Sequence, residues 1–199
     1  MDDPQLTDDE VVSSVLGGRD RDFEILVRRY SQRIIHFVAR MTEDGDEARA
    51  IAQDVFLKIF EHLPYYRREN NFSAFIFKIA RNMTLNWLKR RKRTVFFSRL
   101  LGHELDRLPL RRDPPRLSPM EQGEREQALT RQLRRLPVEQ RLALVLKVYL
   151  EFSYKQIAGV TGWSVPKIET LISRAKARLR KGIRLQESGN EPVVEAREK

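Results

Sequence analysis

Residues 152–181 read FSYKQIAGVTGWSVPKIETLISRAKARLRK and contain the signals for two helices separated by a tight turn. Ser153 and Gln156 form an S-x-x-Q capping box, in which the two side chains accept hydrogen bonds from free backbone N–H groups at the helix start. Gly162 is placed to end this helix, and Pro166 suits the first turn of the next one. The stretch therefore predicts a helix, a turn and a second helix.

The second of these helices has one apolar face and one polar, basic face. Its apolar residues recur at spacings of three and four, which places them on one side: Ile168, Leu171, Ile172, Ala175 and Leu179. The outward side carries Lys167, Glu169, Thr170, Ser173, Arg174, Lys176 and Arg178. This is the layout of a helix-turn-helix, whose second helix lies in the DNA major groove. A helical hairpin with a solvated charged face has the same pattern.

Composition narrows the possible partners. The chain has 199 residues and a formal net charge of +10, which favours a polyanion such as nucleic acid or an anionic membrane surface. It contains no cysteine, which excludes disulfides, thiolate catalysis and cysteine-based zinc sites. It has no long apolar run and begins with an acidic segment, so we expect a cytoplasmic protein without stable membrane insertion. Sparse Gly and Pro and a helical period throughout predict an all-α fold.

The sequence pattern of the first half of the chain predicts four helices. Thr7 and Glu10 form a capping box for a short first helix, and a longer amphipathic helix follows from about Asp20 or Asp22. The third helix, residues 46–63, has an apolar stripe: Ala48, Ile51, Ala52, Val55, Phe56, Ile59 and Phe60. Its other side carries Gln53, Asp54, Leu57, Lys58 and Glu61. That side is either ordinary surface or a protein-docking face.

The fourth helix, residues 72–93, follows a polar loop with two aromatic residues, YYRRENN at 65–71. No acidic residue occurs between positions 72 and 98. Cations and amides from this segment are placed to follow a single strand of nucleic acid: Lys78, Arg81, Asn82, Asn86, Lys89 and Arg90. The basic run at 89–93 also fits a solvated helix end or a membrane-surface patch.

A change of composition divides the chain into two small helical domains. Residues 95–118 contain Gly102 and three prolines with little periodicity, so we expect a flexible linker there. Ser118 and Glu121 open a further helix, and the predicted boundaries are 1–94 for the first domain, 119–184 for the second and 185–199 for a disordered tail.

Three segments in this order resemble the bacterial RNA polymerase sigma factors, specifically the extracytoplasmic-function (ECF) group. DEARAIAQDVFLKIF at 46–60 and FSAFIFKIARNMTLNWLKRRKR at 72–93 resemble region two of that family. LPVEQRLALVLKVYLEFSYKQIA at 136–158 and SVPKIETLISRAKARLR at 164–180 resemble its region four. The resemblance covers roughly residues 20–93 and 120–181, which is most of the chain.

The resemblance implies a role for each face. Region two would bind the beta-prime clamp helices of the polymerase core through Gln53, Asp54, Leu57, Lys58 and Glu61. It would also melt the minus-ten promoter element, with these contacts: Tyr66, Arg67, Asn71, Phe72, Lys78, Arg81, Asn82, Asn86, Lys89 and Arg90. Region four would meet the beta flap and read the minus-thirty-five element through Lys167, Thr170, Ser173, Arg174, Lys176 and Arg178. The other implied partner is an anti-sigma factor.

Other function classes fit the sequence less well. His36, His62 and His103 lie apart without metal-ligand spacing, and the chain has no phosphate-binding loop or nucleophile elbow. We therefore expect neither an enzyme nor a cofactor. The alternatives are a helix-turn-helix regulator that binds duplex operators as a dimer, and a non-specific single-strand-binding protein.

Overall fold

The computed structural model describes residues 6–42, 45–67, 71–100 and 132–188, and every regular element within these ranges is a helix. The α-helices are α1 (Asp8–Leu16), α2 (Phe23–Thr42), α3 (Gly45–His62), α4 (Phe72–Leu100), α5 (Val138–Leu144), α6 (Tyr154–Thr161) and α7 (Val165–Ser188). Short 3-10 turns at Asp20–Asp22 and Leu63–Tyr65 precede α2 and follow α3. The predicted all-α class is confirmed. We call α1–α4 the N-terminal unit and residues 132–188 the C-terminal unit.

The N-terminal unit is built around α2, which packs against α3 and α4. Its fully buried residues include Leu26, Ile34, Phe37, Val55 and Ile59. These positions follow the helical spacing of the sequence, because burial selects one stripe of each amphipathic helix. The first helix begins at the predicted capping box, with the Thr7 side chain accepting from the Glu10 backbone and Glu10 accepting from the Thr7 N–H group.

Two members of the predicted apolar stripe of α3, Phe56 and Phe60, are not buried like the rest of the stripe. Phe60 is 42% exposed and Phe56 is only partly buried. Phe23, at the start of α2, meets both rings edge-on, with ring centroids 5.1 Å from Phe60 and 6.4 Å from Phe56. Phe23 and Phe56 are partly buried against the core, so the three rings lie at its rim.

Two predicted boundaries also change. The fourth helix continues to Leu100, so residues 95–100 are helical and the linker cannot begin at 95. No Gly or Pro occurs between 94 and 100 to stop the helix. The last helix continues to Ser188, four residues beyond the predicted end of the second domain. The rest of the predicted linker and tail, and the helix predicted from Ser118 as far as 131, lie outside the described residues.

The C-terminal unit contains the predicted helix-turn-helix. Ser153 and Gln156 form both hydrogen bonds of the capping box, and Gly162 ends α6 with a left-handed φ of 72°. The described part of α7 buries Ile168, Leu171, Ile172 and Ala175, as the spacing predicts.

The segment before the helix-turn-helix differs from the expected regular helix. After α5 the chain forms a π-helical turn at Val145–Tyr149, and Glu151 follows with a positive φ of 56°. A π-helical turn rarely shows in sequence periodicity, because it adds a single residue to one turn.

Candidate nucleic-acid interface

One exposed face of α4 carries cations and amides. Lys78, Asn82 and Asn86 follow one another at a spacing of four, and Lys89 and Arg90 continue the same side; all five are exposed. The opposite side is anchored in the core, with Ile76, Ala80 and Thr84 fully buried. Because the buried side fixes the rotation of the helix, these five side chains present one polar strip, which we call the α4 strip.

Arg81 lies beside the α4 strip but is only partly exposed. Its Nη1 donates to Asn82 Oδ1 at 3.2 Å. Burial lowers the pKa of Arg81, and the nearby carboxylate of Glu139 acts in the opposite direction. Since Glu139 belongs to α5, Arg81 stands at the junction of the two units.

Two of the predicted minus-ten contacts are buried in this structure. Tyr66 is 9% exposed and Phe72 is 2% exposed, with ring centroids 5.3 Å apart. The Tyr66 hydroxyl donates to Asp9 Oδ1 at 2.6 Å and accepts from the Asn71 N–H group at 3.3 Å. Burial, followed by the hydrogen bond to Asp9, raises the pKa of Tyr66 above its ordinary value. Both rings are core groups here, so neither face is open to a base.

The exposed ring in this segment is Tyr65, which the sequence pattern did not single out. It is 78% exposed and touches only the edge of His62 among the described ring contacts, at 6.0 Å between centroids. Arg67 and Asn71, two other predicted contacts, are also exposed. The sequence analysis chose Tyr66 instead, because a loop has no period that would distinguish two adjacent tyrosines.

The six predicted minus-thirty-five residues on α7 are all exposed. Thr170 Oγ1 donates to the Pro166 carbonyl at 2.9 Å, within its own helix. Lys167 Nζ is 3.1 Å from Glu139 Oε1 and 4.7 Å from the centre of the Trp163 ring. The structure therefore brings the predicted set onto one helix surface, which we call the α7 face.

The predicted docking residues on α3 are exposed as well. Gln53, Asp54, Leu57, Lys58 and Glu61 form what we call the α3 face, and Leu57 is an uncovered apolar side chain at 66% exposure. Lys58 Nζ donates to Glu61 Oε2 at 2.8 Å, and this hydrogen bond lowers the pKa of Glu61. The face combines one apolar residue with charges, as protein interfaces commonly do.

The part of the chain that the structure describes contains neither a metal-binding cluster nor a membrane-spanning helix. Those residues hold no group of three or more histidine, aspartate or glutamate side chains arranged to bind a metal ion. In the same residues, no helix combines the length and apolar character needed to cross a bilayer.

Comparison with known protein families gives two matches in this chain. Residues 26–94 match the description Sigma-70 region 2, and residues 126–179 match Sigma-70, region 4. Together these matches span more than half of the chain. The chain belongs to the sigma-70 family. The resemblance seen in the sequence is thereby confirmed: the first match contains the α3 face and the α4 strip, and the second contains the α7 face.

Individual relatives agree with this family. RNA polymerase sigma factor YlaC of Bacillus subtilis is 28% identical over 80% of this chain and 91% of its own length. The ECF RNA polymerase sigma-E factor of Escherichia coli K12 is 28% identical over 86% of this chain and 92% of its own length. A structure of the sigma factor RpoE in complex with the anti-sigma factor NepR, from Bartonella quintana, shares the fold. Its TM-score is 0.66 at 23% identity, over 82% of this chain and 98% of that one.

The chain is a sigma factor of the ECF group, a transcription initiation factor that directs RNA polymerase to promoters. No comparison favours a free-standing operator-binding regulator.

Proposed function

We propose that this sigma factor divides promoter recognition between its two helical units. The α4 strip takes the melted minus-ten strand, the α7 face reads the minus-thirty-five duplex, and the α3 face binds the polymerase core. The observation that carries this proposal is the presence of two separate cationic surfaces, one per unit, each held over its own buried stripe. A rigid helix surface with exposed cations is suited to phosphate contacts, and nearby amides are suited to base edges.

The minus-ten step needs groups that stabilise an unpaired strand. Lys78 and Lys89 would contact phosphates, Asn82 and Asn86 would hydrogen-bond bases, and the open ring of Tyr65 would stack on one of them. Stacking of a base on an aromatic ring contributes about 1–3 kcal/mol, which offsets the few kcal/mol needed to unstack it. Melting of this kind uses binding energy, so we assign the chain no chemical step of its own.

The minus-thirty-five step needs groups that reach base edges in the major groove. Lys167, Thr170, Ser173 and Arg174 occupy the N-terminal half of α7, which is the part of a recognition helix that meets base edges. Lys176 and Arg178 lie nearer the C-terminal half and would contact phosphates. An Arg or Lys side chain favours guanine, which offers two acceptors in the groove.

The partners follow from the exposed surfaces. The α3 face, with Leu57 at its centre, would bind the beta-prime clamp helices, and the C-terminal unit would meet the beta flap. A relative of this fold was solved with the anti-sigma factor NepR. We propose that an anti-sigma factor of this chain would cover the α3 face, because hiding Leu57 blocks core binding. Transcription initiation with this sigma factor would take place in the cytoplasm, where the polymerase is found.

The division of labour is tested by footprinting a cognate promoter with polymerase core and three variants. Lys78→Ala with Asn82→Ala should keep protection at minus thirty-five and lose it at minus ten. Arg174→Ala should weaken upstream protection. Arg28→Ala is the matched control, because it removes an exposed α2 cation whose ion pair is with Glu24 of the same helix. Equal losses at both elements for every variant would contradict the division.

A further inference from the structure

Two consecutive carboxylates in the first turn of α1 each accept a hydrogen bond from a buried tyrosine. The Tyr30 hydroxyl of α2 donates to Asp8 Oδ2 at 2.5 Å, and the Tyr66 hydroxyl donates to Asp9 Oδ1 at 2.6 Å. The two bonds have the same chemistry but different destinations. Tyr30 lies within a core helix, whereas Tyr66 follows the 3-10 turn after α3 and begins the segment that leads to α4.

The hydroxyl of Tyr66 also holds the other end of that segment. It accepts from the Asn71 N–H group at 3.3 Å, and the Asn71 carbonyl accepts from the Phe75 N–H group at 3.1 Å. The backbone of Asn71 is therefore bonded at both its N–H and its C=O group, while its side chain is exposed. One phenol oxygen joins α1, residue 66 and the residue that precedes α4.

The ring of Tyr66 is fixed as well as its hydroxyl. Its centroid lies 5.3 Å from the Phe72 ring and 5.1 Å from the Phe75 ring, both at the start of α4. The neighbours of Tyr66 along the chain, Tyr65 and Arg67, are both exposed. Because the side chain between them is held at both its ring and its hydroxyl, these two residues leave the core from a fixed position.

The three exposed residues around Tyr66 all belong to the minus-ten assignment. Tyr65 is the proposed stacking ring, and Arg67 and Asn71 are predicted contacts of the same element. Recognition of an extruded base depends on hydrogen bonds to its edge and on stacking, so the groups that make them must be held in place. Helix α1 lies outside both ranges that match the sigma-70 family, residues 26–94 and 126–179, so the family matches assign it no role.

We propose that Asp9 and Tyr66 are positioning residues for base recognition at the minus-ten element. Asp9 holds the Tyr66 hydroxyl, and Tyr66 in turn holds the exposed groups at 65, 67 and 71 in the arrangement that meets an extruded base. Neither Asp9 nor Tyr66 touches DNA in this arrangement. The proposal rests on the assignment of the melted minus-ten strand to the N-terminal unit. It gives α1 a role in promoter selectivity beyond its contribution to the core.

The competing explanation is that Asp9 only stabilises the fold, and Asp8 provides the matched control. Asp8 lies in the same helical turn, accepts from Tyr30 and also forms an ion pair with Arg29 at 2.9 Å. Its loss therefore removes two side-chain contacts between α1 and α2. Tyr30→Phe and Tyr66→Phe likewise each delete one hydroxyl that donates to α1. If stability alone mattered, the variants at 8 and 30 would lose selectivity to the same extent as those at 9 and 66.

Competitive binding of holoenzyme to promoter fragments measures this selectivity. Each fragment keeps the minus-thirty-five duplex of a cognate promoter and presents the minus-ten strand unpaired, with the four bases placed in turn at each position. At the position where the wild type discriminates most, Asp9→Ala and Tyr66→Phe should lower the preference by about five- to tenfold, roughly the factor for one hydrogen bond to a charged group. Asp8→Ala and Tyr30→Phe should keep the wild-type preference. All four variants should keep the base preference at minus thirty-five.

The outcomes separate the two roles. An equal loss of preference in the variants at 9 and 66 and in those at 8 and 30 would overturn the positioning role, since the effect would then follow stability. Wild-type preference in both Asp9→Ala and Tyr66→Phe would also overturn it. A wild-type holoenzyme without base preference at any minus-ten position would overturn the proposed function itself, and the positioning role with it.

A second measurement needs no DNA. Hydrogen exchange of the Asn71 amide, followed by NMR on the free chain, should be at least roughly fivefold faster in Tyr66→Phe, because the acceptor of that N–H group is removed. Asp9→Ala should also accelerate it, since the hydroxyl is no longer held in place. Tyr30→Phe should leave the rate unchanged and controls for a general loss of stability. Wild-type exchange in both Tyr66→Phe and Asp9→Ala would overturn the positioning role.

Discussion

Replacing Tyr66 with Phe removes one oxygen atom from the contact between α1 and the segment before α4. The hydroxyl group that contains this oxygen donates to Asp9 Oδ1 at 2.6 Å and accepts from the Asn71 N–H group at 3.3 Å. A hydrogen bond to a charged group contributes about 1.5–3 kcal/mol to stability, and the longer backbone bond contributes less. Asp9 retains another partner, so the lower end applies. We expect Tyr66→Phe to cost about 1.5–2 kcal/mol of unfolding free energy.

Urea unfolding followed by circular dichroism measures this cost. The midpoint should fall while the slope with denaturant stays the same, because the variant buries the same surface. In thermal unfolding, a loss of this size corresponds to about 3–8 °C for a chain of this length. Tyr65→Phe is the matched control, because its ring is 78% exposed and its hydroxyl makes no hydrogen bond within the described part of the chain. Equal midpoints for the two variants would refute the assignment of Tyr66 to the core.

Three further predictions concern backbone strain, pH and salt. Glu151 has a φ of 56°, a conformation that glycine adopts without penalty, so Glu151→Gly should leave stability equal or higher, whereas Glu151→Val should cost about 1–2 kcal/mol by urea unfolding. Burial raises the pKa of Tyr30 and Tyr66 above the ordinary value of 10.0. The unfolded chain therefore releases these phenol protons at a lower pH than the folded chain does. The two tyrosines contribute their full stabilisation below pH 10. Above pH 10 each contribution falls by up to about 1.4 kcal/mol per pH unit. The Tyr30→Phe, Tyr66→Phe double variant should show a smaller decline in its alkaline urea midpoints. Lys176→Ala should reduce the slope of log K against log salt for holoenzyme on a minus-thirty-five duplex by about 1, and an unchanged slope would remove Lys176 from the phosphate contacts.

The features that were predictable from sequence are local ones. The capping boxes at Thr7 and Ser153 and the buried stripe of α7 depend on residues within a few turns of each other, so spacing reveals them. The burial of Tyr66 depends on Asp9, which lies 57 positions away, and a hydrogen bond joins Arg33 to Leu150 across 117 positions. Neither pairing leaves a periodic signal, because tertiary packing brings these residues together.

The same distinction between local and long-range features applies to the site residues. Exposure of the α3 face and the α7 face followed from helix periodicity once the buried side was identified. The choice between two adjacent tyrosines did not, since a loop has no period and the outcome depended on a partner in α1. The π-helical turn at Val145–Tyr149 was missed for a related reason, because it interrupts the helical period that the prediction assumed.

Permanganate footprinting of a cognate promoter tests most directly whether this chain opens DNA together with polymerase. Thymines between the minus-ten element and the start site should become reactive only when both the polymerase core and this sigma factor are present. The Lys78→Ala, Asn82→Ala variant should reduce that reactivity, and Arg28→Ala should preserve it. Thymines that stay unreactive with core and the wild-type chain together would contradict the account.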